Sequence, residues 1–430
     1  MSERPVSGDA GPGGTRAGRR GIVSRRQLLA GTGLASAVLA GAAMPGGVSA
    51  ATQPAAELVG TGTAVPFHGR YQSGITTPEQ AHLVFAAFDV TAVGSSGLAG
   101  LLSTWTAAAA RLTSGLPVAG ASGQFAPPPD TGEALGLAPS RLTLTIGFGP
   151  GLFDQRFGLG PHRPEALVDL PAFAGDALDP DRSGGDLCVQ ACADDAQVAV
   201  HAIHNLTRLA LGSATVRYLQ SGFGRAASAG RAQPAPRNLL GFHDGTNNLV
   251  AADSAAMDRF VWVDGATGPS WMAGGTYLVS RRIRTHLEAW DRSTLDDQEQ
   301  TIGRAKDSGA PLGSKRATDP VDLSALGPDG QPLIPTHAHI RVAAPASNAG
   351  QAILRRGYSF IDGIDPVTGE LDAGLFFICF QKDPRKQFVP IQQALSERDA
   401  LVQYLEPTGS AIFACPPGIT AGQTWGQGLL

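Results

Sequence analysis

The sequence has little charge and few cysteines, and both shortages limit what the protein can be. Only 16% of its residues are charged, and 33 basic against 37 acidic side chains leave a formal net charge of −4. A chain without a basic excess has little to hold a phosphate backbone, which argues against a nucleic-acid partner. Four cysteines in 430 residues exclude a disulfide-rich scaffold.

Long apolar runs are also scarce. Beyond residue 50 no stretch is long and apolar enough to cross a bilayer, so we expect no integral membrane protein. Hydrophobic residues nevertheless make up 43% of the chain, which can therefore bury a large core, and global disorder is excluded. The length predicts two to three domains or two fused halves.

The first 50 residues have the pattern of an export signal. Residues 24–29 read SRRQLL, an apolar stretch follows to about residue 44, and residues 48–50 (VSA) form an A-x-A-like cleavage site. This predicts a twin-arginine signal peptide over residues 1–50 and a protein located in the periplasm or outside the cell. A membrane anchor is the alternative, but three glycines interrupt the apolar stretch and favour cleavage.

The cysteines are predicted to be buried free thiols. Cys188 and Cys192 lie on one predicted strand, where residues four apart are about 13 Å from each other, too far for a disulfide. The same spacing is poor for zinc. Together with Cys379 and Cys415 they are expected to act as small hydrophobic residues of the core.

The order of predicted elements indicates an α+β protein built from two ferredoxin-like halves. After an extended arm at 51–75, the N-terminal domain (76–230) is predicted to contain strands at 83–90, 142–147, around Cys188 and at 215–220, with helices at 97–112 and 194–211. The C-terminal domain (231–430) is predicted to contain strands at 275–285, 339–342, 355–360 and 375–381, with helices at 287–302 and 388–401. The two halves join near 222–240.

Three segments of the C-terminal half carry side chains suited to chemistry. Residues 238–248 (NLLGFHDGTNN) place Asp244 in a glycine-rich turn, residues 336–341 (THAHIR) contain His337 and His339, and residues 354–358 (LRRGY) contain an arginine pair. Each segment alone also has an ordinary structural explanation: a common turn, strand histidines of the core or surface, and a solvated strand edge. The two histidines alone would also allow a small metal site.

Together and in this order, the three segments resemble the dye-decolorizing peroxidase family of haem enzymes. The most similar subgroup is the exported deferrochelatase/peroxidase of bacterial ferrous-iron uptake systems. The resemblance extends over most of the chain through residues 74–80, 152–159, 299–304, 309–313 and 374–381. It implies a dimeric α+β barrel-like fold with one haem b per chain in the C-terminal half.

The resemblance also implies a role for each site residue. His339 matches the axial ligand of the haem iron, His337 a non-ligand, Asp244 the distal acid and Arg355 the distal arginine. Asp399 matches a carboxylate beside the iron ligand. The residues matching haem-lining positions are Gly245, Thr246, Asn247, Ala344, Pro345 and Ala346, with Leu375 and Phe377 over the distal face.

These residue types suit peroxide chemistry. A carboxylate on the second nitrogen of an iron-bound imidazole raises its basicity, and a pocket carboxylate can move the proton of a bound peroxide. A guanidinium stabilises the developing negative charge, and Arg355 is expected to keep Asp244 ionised at mildly acidic pH, which predicts an acid optimum.

Two details depart from the family or stay open. Where relatives commonly have Asn-Pro-Arg, this chain has Ala344-Pro345-Ala346, which leaves one haem propionate without its arginine; Arg341, Arg281 or water are the alternatives. His243 is expected to be exposed, with a proton relay as the alternative.

The aromatic residues Trp262, Trp271, Trp290, Trp425 and Tyr358 are expected in the core, with electron transfer to the surface as the alternative.

The expected activity is oxidation of small organic donors by hydrogen peroxide. Within an iron-uptake system, the resemblance also implies release of iron from haem with the tetrapyrrole intact, or oxidation of ferrous iron beside a permease. A haem carrier without turnover would need His339 but not Asp244 and Arg355, so their presence argues against it. A homodimer is the expected oligomer.

Overall fold

The computed structural model describes residues 62–120, 122–224, 236–266 and 268–430. The predicted signal peptide and the first residues of the predicted arm lie outside this part of the chain. The N-terminal half contains, in chain order, β1 (His82–Val90), α1 (Gly94–Leu112), β2 (Thr143–Phe148), β3 (Leu187–Ala193), α2 (Ala196–Leu209) and β4 (Ala214–Phe223).

The C-terminal half repeats this plan with additions. It contains α3 (Ser254–Phe260), β5 (Thr276–Thr285), α4 (Leu287–Asp291), α5 (Leu295–Ile302), α6 (His339–Val342), β6 (Leu354–Arg355), β7 (Tyr358–Ile364), β8 (Leu371–Gln381), α7 (Phe388–Arg398) and β9 (Leu405–Cys415). Short 3₁₀ turns join several of these elements, among them one at Ala400–Tyr404.

The nine strands form one antiparallel sheet that closes on itself. The order within the N-terminal half is β2-β3-β1-β4, and the corresponding strands of the C-terminal half follow the same order, β6/β7-β8-β5-β9. Each half is therefore ferredoxin-like, as predicted. The halves join where Phe148 pairs with Ala414 and where Phe223 pairs with Ser359, and the pairing of β5 with β8 completes the closed, barrel-like sheet.

Alternation along the strands separates an inner core from an outer face. The inner core contains one set of side chains from both halves, including Phe85, Phe376, Phe413 and Tyr358. On the outer face of the N-terminal half, α1 and α2 cover the sheet, and the indole of Trp105 donates to the Leu206 carbonyl at 2.8 Å between the two helices.

Two expectations about buried residues are confirmed. All four cysteines are free and buried, and burial raises the pKa of the Cys188, Cys379 and Cys415 thiols. The four tryptophans and the tyrosine that were expected in the core are all buried. None of the helices in the described residues has the length and apolar character needed to span a bilayer.

The differences from prediction are concentrated in the C-terminal half. Residues 339–342, predicted as a strand because of Ile340 and Val342, form the helix α6, which packs on α5 and α7 instead of joining the sheet. The predicted helix at 287–302 is two helices, because the Thr294 hydroxyl accepts from the Asp297 N–H and caps a new helix there.

Two strand assignments also need correction. The predicted strand at 355–360 is divided into β6 and β7, which are separated by Arg356 and Gly357. The last strand, β9, was not predicted; Pro407 and Gly409 interrupt its apolar pattern at a shift in its pairing with β5.

Candidate functional site

The cavity that contains the predicted site residues lies on the outer face of the C-terminal half of the sheet. It is a cavity of about 280 Å³ whose sheet wall is formed by side chains from β5, β6, β8 and β9. These wall residues alternate with the inner core, so their side chains point away from it. The opposite parts of the cavity are formed by α6, α7 and the turn around Asp244.

The N-terminal half contributes one edge of this cavity. Ala174 and Gly175 line it, and the next residue, Asp176, forms a buried ion pair with Arg281 of β5. Phe173 also packs against the Arg281 guanidinium, 5.3 Å from ring centroid to carbon. The N-terminal loop is therefore fixed to the C-terminal sheet at the cavity edge.

His339, the predicted iron ligand, lines the cavity from the first position of α6. Its Nδ1 lies 2.6 Å from Oδ2 of Asp399, whose side chain is 2% exposed. Burial lowers the pKa of the imidazole, but the charge and hydrogen bond of Asp399 act the other way, and the net shift of the His339 pKa is upward. Because Nδ1 is engaged, Nε2 is the nitrogen left for a ligand.

The neighbours of His339 fix the position of α6. Gly303, the left-handed residue that ends α5, lies so close to Ile340 that a Cβ there would be 2.7 Å from its side chain. Asp399 is held in turn because its Oδ1 accepts from the Leu401 N–H at 2.9 Å. His337 is exposed and does not line the cavity. The described residues contain no cluster of three or more potential metal ligands.

Asp244 and Arg355 meet at the same cavity. Asn248 accepts from the Arg355 N–H at 2.9 Å and donates to its carbonyl at 2.7 Å, so the turn after Asp244 is tied to β6. Nη1 of Arg355 lies 3.5 Å from Oδ1 of Asp244. Gly245 has a φ of +81°, a conformation that favours glycine and turns the chain directly after Asp244. A carboxylate and a guanidinium are therefore presented together, each about one-third exposed.

The other predicted site residues divide into two groups. Those that line the cavity are Gly245, Thr246, Asn247, Ala344, Pro345, Leu375 and Phe377. Ala346 does not; it is exposed on the turn that follows α6. His243, expected to be exposed, is partly buried, lines the cavity and packs against Gly309.

One functional candidate was missed in the sequence. Arg304 is 4% exposed and lines the cavity, and only its Nη1 is engaged by carbonyls, those of Gly309 and Ala317. Arg341 and Arg281, the two arginines considered from the sequence as partners of a haem propionate, are engaged elsewhere. Arg341 donates to the Ile334 carbonyl and Arg281 to Asp176. The signal that was available is the segment IGR at 302–304, which already formed part of the family resemblance.

Comparison with known families agrees with this geometry. The model of the C-terminal part of Dyp-type peroxidases matches residues 235–420, and that of the N-terminal part matches residues 72–224. The chain belongs to the Dyp-type peroxidase family. Within the family, it is 37% identical to the deferrochelatase of Yersinia pestis over 95% of both chains, and 38% identical to the dye-decolorizing peroxidase of Thermobifida fusca over 95% of this chain and 97% of that one.

Solved structures of Dyp-type peroxidases have the same fold. Ferric DtpA from Streptomyces lividans is 41% identical, with a TM-score of 0.80 over 86% of this chain and 98% of that one. The DyP-type peroxidase from Cellulomonas bogoriensis is 39% identical, with a TM-score of 0.78 over 85% and 98% of the two chains.

Proposed function

We propose that the protein is a haem b peroxidase that uses hydrogen peroxide to oxidise small organic donors. The observation that carries this proposal is a single cavity that holds both the His339–Asp399 pair and the Asp244–Arg355 pair. A haem carrier would need only the first pair. The second pair consists of a proton acceptor and a fixed positive charge, which are of use where a bond to oxygen is broken.

The residues of the cavity fit haem. His339 offers Nε2 as an iron ligand, and Asp399 supplies the carboxylate that orients the ring and raises its basicity. The wall is mainly apolar, which suits a porphyrin, and Arg304 is a cation for a propionate. When bound, haem supplies the redox-active iron.

The side chains of this protein would then manage the proton and the charge of peroxide. An Asp244 carboxylate oxygen takes the proton from one peroxide oxygen and returns it to the other, which leaves as water. Arg355 cannot deprotonate, and it stabilises the negative charge that develops during the transfer. Leu375 and Phe377 keep bulk water from the cavity and strengthen both interactions.

Spectroscopy of the haem-loaded protein tests this function. On addition of one equivalent of peroxide, the Soret band of wild type should change within the mixing time or shortly after. Asp244→Asn should slow this change by about 10²–10⁴-fold, and Arg355→Leu should also slow it, with haem content unchanged. A wild-type protein that binds haem but never responds to peroxide would favour the carrier.

Iron handling is the second candidate, because a deferrochelatase is 37% identical to this chain over 95% of its length. In this function haem is the substrate, and iron is released while the tetrapyrrole stays intact. Anaerobic incubation with haem and a reductant should produce the fluorescence of metal-free porphyrin. Haem recovered unchanged, or opened at the ring, would contradict it.

Export and partners belong to the same proposal. A twin-arginine route would deliver a folded, haem-loaded protein to the periplasm or cell envelope, consistent with the motif at residues 24–29. We also predict that an iron permease is encoded near this protein and that the protein is a homodimer. The gene neighbourhood tests the first prediction, and the mass of the protein in solution tests the second.

A further inference from the structure

The strand that carries Arg355 is short and has one edge outside the sheet. Within the described residues, β6 has two residues and pairs with β8 on one side. The Arg356 N–H, next along the chain, donates to the Ile378 carbonyl of β8 at 2.8 Å. Because successive residues of an antiparallel pair direct their backbone groups to opposite sides, the N–H and the carbonyl of Arg355 point away from β8. The backbone of Arg355 therefore needs a partner from elsewhere in the chain.

The side chain of Asn248 is that partner. Its Oδ1 accepts from the Arg355 N–H at 2.9 Å, and its Nδ2 donates to the Arg355 carbonyl at 2.7 Å. One carboxamide thus takes the place of a neighbouring strand, although it is 107 residues away in the chain. A carboxamide suits this place because it accepts at one atom and donates at another, whereas an ionised carboxylate can only accept.

Asn248 also belongs to the turn that presents Asp244. Its own N–H donates to the Gly245 carbonyl at 3.3 Å, which closes the turn directly after Asp244. On the other side, the Asp244 N–H donates to the Pro236 carbonyl at 2.8 Å. One side chain therefore connects the turn that carries Asp244 to the backbone of Arg355.

The charged side chains of Asp244 and Arg355 do not fix their own separation. Nη1 of Arg355 lies 3.5 Å from Oδ1 of Asp244, at the limit of a hydrogen bond, and both side chains are about one-third exposed. A single long contact between partly exposed charges holds two side chains together only weakly. The two shorter hydrogen bonds of Asn248 act instead on the backbone from which the guanidinium extends. Asn248 is partly buried and does not line the cavity, so its effect on the reaction is indirect.

We propose that Asn248 is a positioning residue that sets the separation of Asp244 and Arg355 and thereby the rate of the reaction with peroxide. Proton transfer and charge stabilisation require both groups to lie beside the same oxygen atoms, and a misplacement of about 1 Å can cost about 10²-fold in rate. This inference rests on the proposed peroxidase function and adds to it a residue that acts through the backbone of Arg355.

The first test compares haem-loaded Asn248→Ala with wild type. The rate constant for the reaction with peroxide should decrease by about 10- to 100-fold, while haem content and the later oxidation of an organic donor stay unchanged. Asn205→Ala is the matched control. Asn205 is a fully buried asparagine outside the cavity, and it also joins a turn to a distant segment, since its Nδ2 donates to Oγ1 of Thr131 at 2.7 Å. The control should lose stability but keep the rate with peroxide.

A double substitution separates positioning from a general loss of structure. In an Arg355→Leu background, Asn248→Ala should slow the reaction with peroxide far less than it does in wild type, because the side chain that it positions is already gone.

Asn248→Asp adds a readout that depends on pH. The ionised aspartate cannot donate to the Arg355 carbonyl, but its protonated form both accepts and donates, as asparagine does. The rate of this variant relative to wild type at the same pH should therefore rise towards one as the pH falls.

Crystal structures of the apoproteins give a readout that does not depend on turnover. In Asn248→Ala the distance between Nη1 of Arg355 and Oδ1 of Asp244 should differ from that in wild type by about 1 Å or more, with the His339–Asp399 pair unchanged. An unchanged distance, or an unchanged rate with peroxide, would overturn the inference, and so would rate losses that multiply in the double variant. If wild type itself fails to react with peroxide, the proposed function fails, while the crystallographic comparison still decides whether Asn248 positions the pair.

Discussion

The two halves share one strand order but fill the outer face of the sheet differently. In the N-terminal half, α1 and α2 pack on this face and bury a large set of its apolar side chains. In the C-terminal half the connection after β5 is broken into α4, α5 and the four-residue α6, which leaves a cavity against the sheet. The comparison teaches that one ferredoxin-like half can keep an open cavity against its sheet where the other half packs a helix.

Among the substitutions, loss of the proposed iron ligand should have the largest effect. His339→Ala removes the imidazole that is paired with Asp399 and offers Nε2 to the iron, so we expect no stoichiometric haem after reconstitution. The measurement is Soret absorbance per mole of protein. His337→Ala is the matched control and should keep its haem, since His337 is exposed and outside the cavity. Equal retention of haem in both variants would refute the assignment.

A pair of leucine substitutions measures the contrast between the two outer faces. Leu102 of α1 is fully buried, and Leu102→Ala should lower the free energy of unfolding of the apoprotein by about 2–5 kcal/mol. Leu375→Ala should cost much less in the apoprotein, because Leu375 already borders the cavity. Haem affinity, in contrast, should be lowered more by Leu375→Ala than by Leu102→Ala. Denaturant unfolding measures the free energy of unfolding, and equal losses in the two apoprotein variants would contradict this prediction.

Asp399→Asn should weaken the site without disturbing its shape. Asparagine can still accept from the Leu401 N–H, but it removes the negative charge beside His339. Loss of such a partner typically costs 10–100-fold, so we expect a decrease of about this size in haem affinity or in the rate with peroxide. Asp291→Asn, on the exposed end of α4, is the control.

The smallest effect concerns the stability of the N-terminal half, through the partly buried carboxyl of Glu79. Since folding raises the pKa of Glu79, the native state binds more protons than the unfolded state, and this group lowers stability as pH rises from 4.5 through the folded pKa. Glu79→Gln should therefore be slightly more stable than wild type at neutral pH. Below pH 4.5 the two proteins should unfold alike. Thermal unfolding at the two pH values checks the sign.

The sequence predicted the N-terminal half better than the C-terminal half for a physical reason. β2 alternates with a period of two, α2 has an apolar stripe with a period of 3.6, and Asp195 caps α2 by accepting from the backbone N–H groups of Gln197 and Val198. In the C-terminal half tertiary packing overrides local preference. The β-branched residues of α6 read as a strand, and β9 contains the proline and glycine of a pairing irregularity.

The candidate site could be predicted only in part. Side chains within recognisable segments, such as Asp244, His339 and Arg355, could be named from the sequence, and their roles stay predictions. Arg304 was not singled out: its segment, residues 302–304, forms part of the resemblance, but nothing local shows that this side chain is buried at the cavity. Its position there arises from packing between segments that are far apart in the chain.

The closed sheet also sets the order in which this protein can assemble. Phe148 and Ala414, which join the halves on one side, are separated by 414 − 148 = 266 residues, so closure must wait until almost the whole chain has been synthesised. The cavity edge at Ala174 and Gly175 is formed only when Asp176 reaches Arg281. A nascent C-terminal half would thus display its imidazole and its distal residues before the site has all its walls. If haem binds in this cavity as proposed, its binding is a late step that requires both halves to have packed together.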